Sequence, residues 1–257
     1  MIKIAFFDID GTLIDMEKKV ISEKTIETLQ KMKAKGIRIC IATGRTAVTL
    51  PKFDDIEFDA YLTFNGSYCF CGNETIYSNS ITNSDVKTIL KNAKRMNRDV
   101  SIATKTRVAA NGANDVDLKD YYGFAKLELK VADDFDEVAN DEVYQIMLGC
   151  RKPEYDEILK DTQNAKIAAW WDRAVDIIPL NSGKGAGIKK VLEYFHFTKE
   201  EAMAFGDGDN DLEMFEEVGC SVAMGNASEN LKKNASHICA SVSDDGIYHF
   251  CIEQGII

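Results

Sequence analysis

The chain has 257 residues, of which 45% are hydrophobic and 28% charged, with 17 Gly and only 3 Pro; this composition is typical of globular proteins and excludes collagen-like and low-complexity chains. Lys and Arg number 31 against 42 Asp and Glu, so the formal net charge is −11, and the average surface field repels nucleic acid and other polyanions. A small anionic ligand therefore requires a locally positive site.

The first 65 residues alternate between buried strands and an amphipathic helix. Ile2–Phe7 is an apolar run that ends at a polar turn, as a buried parallel strand does. A helix is predicted between an N-cap at Ser22 and a C-terminal cap at Gly36. Further strands are predicted at Ile37–Ala42 and Tyr61–Phe64. This order of elements predicts a parallel, doubly wound sheet.

The middle of the chain, from about Ile81 to Pro179, follows another pattern. A helix is predicted at Asp85–Met96, followed by short strands and a helix that starts at a proline. Trp170 and Trp171 are predicted on opposite faces of one strand. The alternative is contact with a substrate, for which the candidates are Arg151, Trp171, Asp172 and Arg173. The helix-strand-strand order predicts a separate α+β module.

The last third returns to the alternation of the first. The elements predicted there are Lys184–Phe195 (helix), Ala202–Phe205 (strand), Leu212–Phe215 (helix), Ser221–Met224 (strand), a helix from Ser228 and Gly246–Glu253 (helix). The predicted fold is α/β, with a Rossmann-like three-layer core and a parallel sheet. Residues 1–81 and 181–257 form this discontinuous core, and residues 82–180 form an inserted α+β domain.

The sequence also bears on cellular location. Its longest apolar runs, such as Ile4–Phe7 and Ile39–Ala42, are far shorter than the roughly 20 residues that cross a bilayer, and the N-terminus does not resemble a signal peptide. The seven cysteines are odd in number and scattered, which favours reduced thiols over disulfides or a zinc site. We therefore expect a cytoplasmic protein with no membrane partner. We also expect no nucleic-acid partner, and a monomer or weak homo-oligomer.

Four polar motifs follow predicted strands or begin a predicted helix. They are Asp8–Thr12 after the first strand, Thr43–Arg45 after the second, Ser182–Gly185 at a helix start and Gly206–Asp211 after a later strand. The carboxyl ends of parallel strands meet at one edge of the sheet, where open α/β sheets bind ligands. These motifs are therefore predicted to converge on one site.

The chemistry of the converging residues indicates phosphoryl transfer. Several carboxylates beside Lys184 would repel one another unless a hard divalent cation such as Mg²⁺ lay among their oxygens. Thr43 and a glycine-freed amide can bind a phosphate oxygen, and Lys184 at a helix start favours an anion. Asp8 could then attack phosphorus to form an aspartyl phosphate. Asp10 could protonate the leaving oxygen and later accept a proton from water.

Each motif taken alone also has an ordinary structural explanation. Asp8–Thr12 fits a turn with an Asx-type bond, Thr43-Gly44 fits a simple turn, and Gly208–Asn210 is a common loop composition. Lys184 alone fits a solvated charge at a helix start. The occurrence of all four in order, each at a strand end or helix start, favours a functional site.

Together the motifs resemble those of the haloacid dehalogenase (HAD) superfamily, in its phosphatase branch. The residues that carry the resemblance are Asp8–Thr12, Thr43–Arg45, Lys184 and Gly206–Asp211, and those that resemble the Cof-type phosphatases are Phe64–Gly66, Ser182–Gly185 and Val222–Ala227. The resemblance implies that the inserted α+β domain is a cap. The dehalogenases of the superfamily lack the second Asp of the first motif, so Asp10 favours phosphoryl chemistry.

The resemblance also implies individual roles. Asp8 matches the nucleophile and a Mg²⁺ ligand, Asp10 the general acid/base whose carbonyl also binds the metal, and Asp207 a further metal ligand. Thr43 and Lys184 match catalytic residues that also hold phosphate. The remaining residues implied to bind phosphate or substrate are Gly11, Gly44, Arg45, Asn65 and Asn210, and Asp211 matches a supporting carboxylate.

The expected function is Mg²⁺-dependent hydrolysis of small phosphorylated metabolites through an aspartyl phosphate. The resemblance implies sugar phosphates, either hexose or pentose phosphates, as the substrates. Two alternatives remain open from the residues. A sugar phosphomutase would use Asp8 and Asp10 but return the phosphate to the bound sugar, and a noncatalytic regulator would bind Mg²⁺ or phosphate without turnover.

Overall fold

The computed structural model describes residues 1–53, 56–124 and 127–257. Contacts between its elements divide the chain into two compact units. The first unit consists of Met1–Thr43, Pro51–Tyr77 and Gly183–Ile257. The second consists of Gly44–Leu50 and Ser78–Ser182.

The described residues contain thirteen strands. In chain order they are β1 (Ile4–Phe7), β2 (Arg38–Ala42), β3 (Ala60–Thr63), β4 (Tyr68–Cys71), β5 (Glu74–Ser78), β6 (Val100–Ala103), β7 (Val108–Ala110), β8 (Gln145–Gly149), β9 (Ala165–Ala168), β10 (Ala174–Pro179), β11 (Ala202–Gly206), β12 (Cys220–Ala223) and β13 (His237–Ile238).

The same residues contain nine α-helices. They are α1 (Glu23–Ala34), α2 (Asn83–Arg95), α3 (Val116–Phe124), α4 (Phe135–Val138), α5 (Tyr155–Ile158), α6 (Lys184–Phe195), α7 (Leu212–Glu216), α8 (Glu229–Asn234) and α9 (Gly246–Glu253). None of the helices in the described part of the chain is both long and apolar enough to cross a membrane.

The first unit is built on an eight-stranded sheet in the order β13-β12-β11-β1-β2-β3-β4-β5. The strands from β13 to β3 run parallel, and β4 runs antiparallel to β3. The central strand β1 is an Ile-Ala-Phe-Phe run in which all four residues are buried. A strand buried on both faces needs other layers on either side of it, which confirms the predicted Rossmann-like core.

Local signals account for the bounds of two helices in this unit. Ser22 is the N-cap of α1, and its side chain accepts a hydrogen bond from the Thr25 amide, as is usual for a serine at this position. The predicted bounds of α6, Lys184 to Phe195, are those of the structure. Helix α6 begins at the motif that places Lys184 at a positively polarised helix start.

The second unit is an antiparallel sheet of five strands in the order β7-β6-β8-β10-β9. Alternate residues of β8 and β10, including Ile146, Leu148, Val175 and Ile177, lie in one apolar core together with residues of α2. The combination of an antiparallel sheet and helices confirms the predicted α+β insertion.

One prediction in this unit is wrong. Strand β9 ends at Ala168, so Trp170 and Trp171 do not lie on opposite faces of a strand. Their rings stack instead, with centroids 5.8 Å apart and planes inclined by 14°. The Arg173 guanidinium lies 4.2 Å from the centroid of the Trp171 ring. Stacking and cation–π contact between neighbours stabilise this turn, and strand propensity alone does not predict it.

Candidate active site

The carboxyl ends of β1 and β11 bring together two aspartates that are 199 positions apart. Phe7 and Phe205 are paired in parallel register, and the Asp8 amide continues the ladder by donating to the Phe205 carbonyl at 3.1 Å. Asp8 follows β1, and Asp207 follows β11 directly. The predicted convergence of these two motifs is therefore a consequence of strand register.

Lys184 begins α6 and is almost fully buried, with 1% of its side chain exposed. Its ammonium donates to Oδ1 of Asp8 at 2.6 Å and to Oδ1 of Asp211 at 2.5 Å. A buried charge is costly unless it is paired and hydrogen-bonded. The two carboxylates compensate the buried charge of the Lys184 ammonium. They also leave the cluster with excess negative charge.

The pKa values of the cluster reflect burial and this charge imbalance. Burial raises the pKa of Asp8 to about 7, with Asp211 and Asp10 adding to the rise and Lys184 opposing it. Burial also raises the pKa of Asp207 well above its usual range, assisted by the charges of Asp8 and Asp211. Burial lowers the pKa of Lys184, but Asp211 and Asp8 outweigh it and raise the pKa overall. These directions mark a site short of positive charge.

Asp211 and Asp207 differ in how their oxygens are used. Oδ2 of Asp211 accepts the amides of Asp207 and Gly208 at 2.9 and 3.1 Å, while its Oδ1 is taken by Lys184. Asp207 accepts the Thr12 hydroxyl on Oδ1 at 2.7 Å. Asp211 therefore braces its own loop with both oxygens, whereas Asp207 accepts the Thr12 hydroxyl on only one of its oxygens.

The donor set suits a hard divalent cation. Carboxylate oxygens of Asp8, Asp207 and Asp211 lie within 4.8 Å of one another. The hydrogen bonds above use one oxygen each of Asp8 and Asp207. Oxygen-only donors of net negative charge are those that Mg²⁺ binds in proteins. Asp8 and Asp207 are therefore the carboxylates best placed to hold such a cation, with Asp211 in support.

A second group of predicted residues is assembled by short links within the same unit. The backbone N–H of Asn65 donates to the backbone carbonyl of Thr43 at 3.0 Å. The side-chain amide of Asn210 donates to Oδ1 of Asn65 at 3.2 Å. Phe64 and Asn65 both have φ of +52°, which is uncommon outside glycine and concentrates at functional sites. Asn65 thus links the Thr43 backbone to the Asn210 side chain, and Asn210 directly precedes Asp211 in the chain.

The remaining predicted residues are placed as follows. Asp10 lies close enough to Asp8 for its charge to raise the pKa of Asp8. Gly11 has φ of +90°, and a Cβ there would lie 2.2 Å from Oδ2 of Asp207, so glycine is required. Gly44 and Arg45 belong to the second unit, where the Arg45 guanidinium donates to the Thr49 carbonyl at 3.1 Å. Their part in binding phosphate stays a prediction.

Two residues of this site carried no predicted role. Thr12 holds Asp207, as described above. The Asn226 side chain donates to the Gly11 carbonyl at 2.8 Å and accepts the Val242 amide at 2.9 Å, so it fixes the turn after β1. Asn226 follows β12, and its place after a parallel strand was the signal that could have revealed it.

Comparison with known proteins identifies the class. Residues 5–251 match the family model of the haloacid dehalogenase-like hydrolases. YkrA of Bacillus subtilis, named as a candidate phosphatase, is 32% identical over 99% of this chain and 98% of its own length. YitU of the same organism, named a 5-amino-6-(5-phospho-D-ribitylamino)uracil phosphatase, is 29% identical over 96% of this chain and 95% of its own.

A solved structure agrees with these relatives. The structure of BT4131, a sugar phosphatase of HAD subclass IIB, superposes with a TM-score of 0.92 at 32% identity, covering 99% of this chain and all of the other. The chain therefore belongs to the haloacid dehalogenase-like hydrolases. Within them it is an enzyme of the phosphatase type, as the four motifs predicted.

Proposed function

We propose that this phosphatase is a Mg²⁺-dependent phosphomonoester hydrolase that acts on phosphorylated sugars or polyols through an aspartyl phosphate. The observation that carries the proposal is the buried cluster in which one ammonium serves two of three aspartates. A hydrolase that needed only a polar cleft would have no reason to bury excess negative charge, whereas one that binds a cation and a phosphoryl group does.

The first half of the reaction uses Asp8 and Asp10. A carboxylate oxygen of Asp8 attacks phosphorus, and the bond from phosphorus to the ester oxygen breaks with its electron pair leaving on oxygen. Asp10 gives that oxygen a proton, so the free sugar or polyol departs as an alcohol. Lys184, Thr43 and Asn210 hold the phosphoryl oxygens during this transfer.

The second half regenerates the enzyme. Asp10, now ionised, takes a proton from water, whose oxygen attacks the phosphorus of the aspartyl phosphate. The bond between phosphorus and Asp8 breaks, and inorganic phosphate leaves. Asp8 and Asp207, with the Asp10 carbonyl, are the groups that would hold Mg²⁺. When bound, this cation supplies positive charge that favours the ionised nucleophile and neutralises phosphoryl oxygens.

The substrate class is inferred from what the relatives share. BT4131 is a sugar phosphatase, and the name of YitU specifies a phosphate on a ribityl chain. Both are phosphate monoesters of a carbon chain rich in hydroxyl groups. The core residues above are all used on phosphate and cation, so we assign selection of the leaving group to the inserted domain, residues 82–180, acting as a cap.

The state of the cysteines bears on the cellular location. All seven cysteines are free, which agrees with a reducing compartment. We propose that the enzyme acts in the cytoplasm as a monomer or weak homo-oligomer, which size-exclusion chromatography under reducing conditions can test.

The function is tested by measuring phosphate release from hexose, pentose and polyol phosphates and the ribitylaminouracil phosphate, with Mg²⁺ or EDTA. We expect metal-dependent release by the parent and none by Asp8→Asn. Asp85→Asn is the control, because Asp85 is also buried but accepts the amides of Gln163 and Asn164 in the second unit. Turnover by Asp8→Asn comparable to that of the control would refute Asp8 as nucleophile, and isomers formed without phosphate release would indicate a mutase.

A further inference from the structure

Gln145, the first residue of β8, is a fully buried amide in the second unit. Its Nε2 donates to the carbonyl oxygen of Gly44 at 3.0 Å, across 101 positions of the chain. Burying a side-chain amide is unfavourable unless it is hydrogen-bonded. The bond to Gly44 satisfies one donor of this buried amide.

The other residues of β8 are apolar or glycine. Its neighbours Ile146 and Leu148 lie in the apolar core of the unit, and Met147 shares the strand face of Gln145. The pairing of Gln145 with Ala103 of β6 uses backbone groups and would accept any side chain. A methionine or leucine would be buried at this point with a smaller desolvation cost.

The Gly44 carbonyl belongs to a turn whose other side is already fixed. The backbone N–H of Thr43 donates to the Leu62 carbonyl at 2.9 Å, and the Thr43 carbonyl accepts the backbone N–H of Asn65. The position of Thr43 is therefore fixed by these backbone bonds. The next peptide, Gly44–Arg45, is planar, and fixing its carbonyl also fixes the direction of the Arg45 amide. Glycine gives the backbone wide rotational freedom, and the Gln145 bond restricts that freedom at Gly44.

We propose that Gln145 is a positioning residue for the phosphate-binding turn Thr43–Arg45, an inference that rests on the function proposed above. This role requires no contact between Gln145 and the phosphate. It holds the Gly44–Arg45 peptide in the orientation that binds phosphoryl oxygens, in the ground state and the transition state alike. Without it the turn samples other orientations, and phosphate binds less tightly.

The test uses a matched pair of variants. Gln145→Met keeps the length of the side chain but removes the donor. Asn92→Leu removes the same kind of bond elsewhere in the second unit, since the buried Asn92 amide donates to the carbonyls of Ile158 and Lys160 at 3.1 and 2.7 Å. Steady-state kinetics on a substrate of the parent, inhibition by inorganic phosphate and thermal unfolding are measured for each.

We expect Gln145→Met to lower kcat/KM about tenfold and to raise the inhibition constant of inorganic phosphate by a similar factor, or about 1.4 kcal/mol. Asn92→Leu should lower the unfolding temperature while leaving both constants within twofold of the parent. Gln145→Asn, whose amide is one methylene short of the bond, should reproduce the loss and carries the test if Gln145→Met does not fold.

Two results would count against the inference, and they are distinguishable. An active parent whose Gln145 variants bind inorganic phosphate as tightly as it does would refute the positioning role alone. A parent that releases no phosphate from any substrate would refute the proposed function and this inference with it.

Discussion

Replacing Lys184 with methionine tests whether the buried ammonium holds the carboxylate cluster together. The substitution keeps most of the side-chain length but leaves Asp8 and Asp211 buried without the donor that lies 2.6 and 2.5 Å from their oxygens. Removing one partner of a buried ion pair costs about 3–5 kcal/mol, because the remaining charge is uncompensated. We expect a loss of that size in the free energy of unfolding at pH 8 with EDTA.

The control is Lys190→Met on the same helix. Lys190 pairs with Glu193 at 2.8 Å, and 43% of its side chain is exposed. Exposed pairs at this spacing contribute only about 0.2–0.5 kcal/mol. Urea unfolding followed by far-UV circular dichroism measures both variants, and equal slopes with urea show that the midpoints can be compared.

A double variant separates charge from packing. Adding Asp211→Asn to Lys184→Met removes one of the stranded carboxylates, and we expect it to recover about 1–3 kcal/mol as a coupling energy. A Lys184→Met variant as stable as Lys190→Met, within about 1 kcal/mol, would refute the stabilising role of the buried ammonium. A double variant whose losses simply add would refute the assigned coupling.

Three further predictions concern single residues. Gly11→Ala should lose more stability and activity than Gly36→Ala in thermal unfolding and steady-state assays. Both glycines have positive φ, which costs an alanine about 1–2 kcal/mol. An added Cβ would also collide with Asp207 at Gly11, whereas it would have no neighbour within 4 Å at Gly36. Asp207→Asn should raise the Mg²⁺ concentration needed for half-maximal activity, and an unchanged metal titration would exclude Asp207 as a ligand. Burial raises the pKa of Tyr122 to about 12, and its bond to Ser101 opposes this rise. The neutral phenol therefore contributes stability that is complete below pH 10 and is lost as the pH rises from 10 to 12, about 3 kcal/mol in all. In urea unfolding, Tyr122→Phe should lack this alkaline loss of stability, and a pH dependence identical to that of the parent would contradict the prediction.

Elements with strong local signals were predicted well. Helices α6 and α9 have the bounds inferred from their patterns, and the Ser22 cap lies where α1 begins. The hairpin of β4 and β5 was not predicted, although Gly72 and Asn73 between two strand-like runs are a turn signal. The strand predicted to carry Trp170 and Trp171 ends at Ala168 instead, and the two rings stack beyond it.

The sequence by itself determined the class of fold, the family and the set of candidate residues, because short motifs at the ends of parallel strands must meet at one edge of the sheet. Only the tertiary structure decided how these residues divide their work. Both oxygens of Asp211 accept hydrogen bonds from Lys184 and backbone amides, whereas Asp207 accepts the Thr12 hydroxyl on Oδ1. Such bonds join positions far apart in the chain, and no local pattern records which of several carboxylates is already occupied.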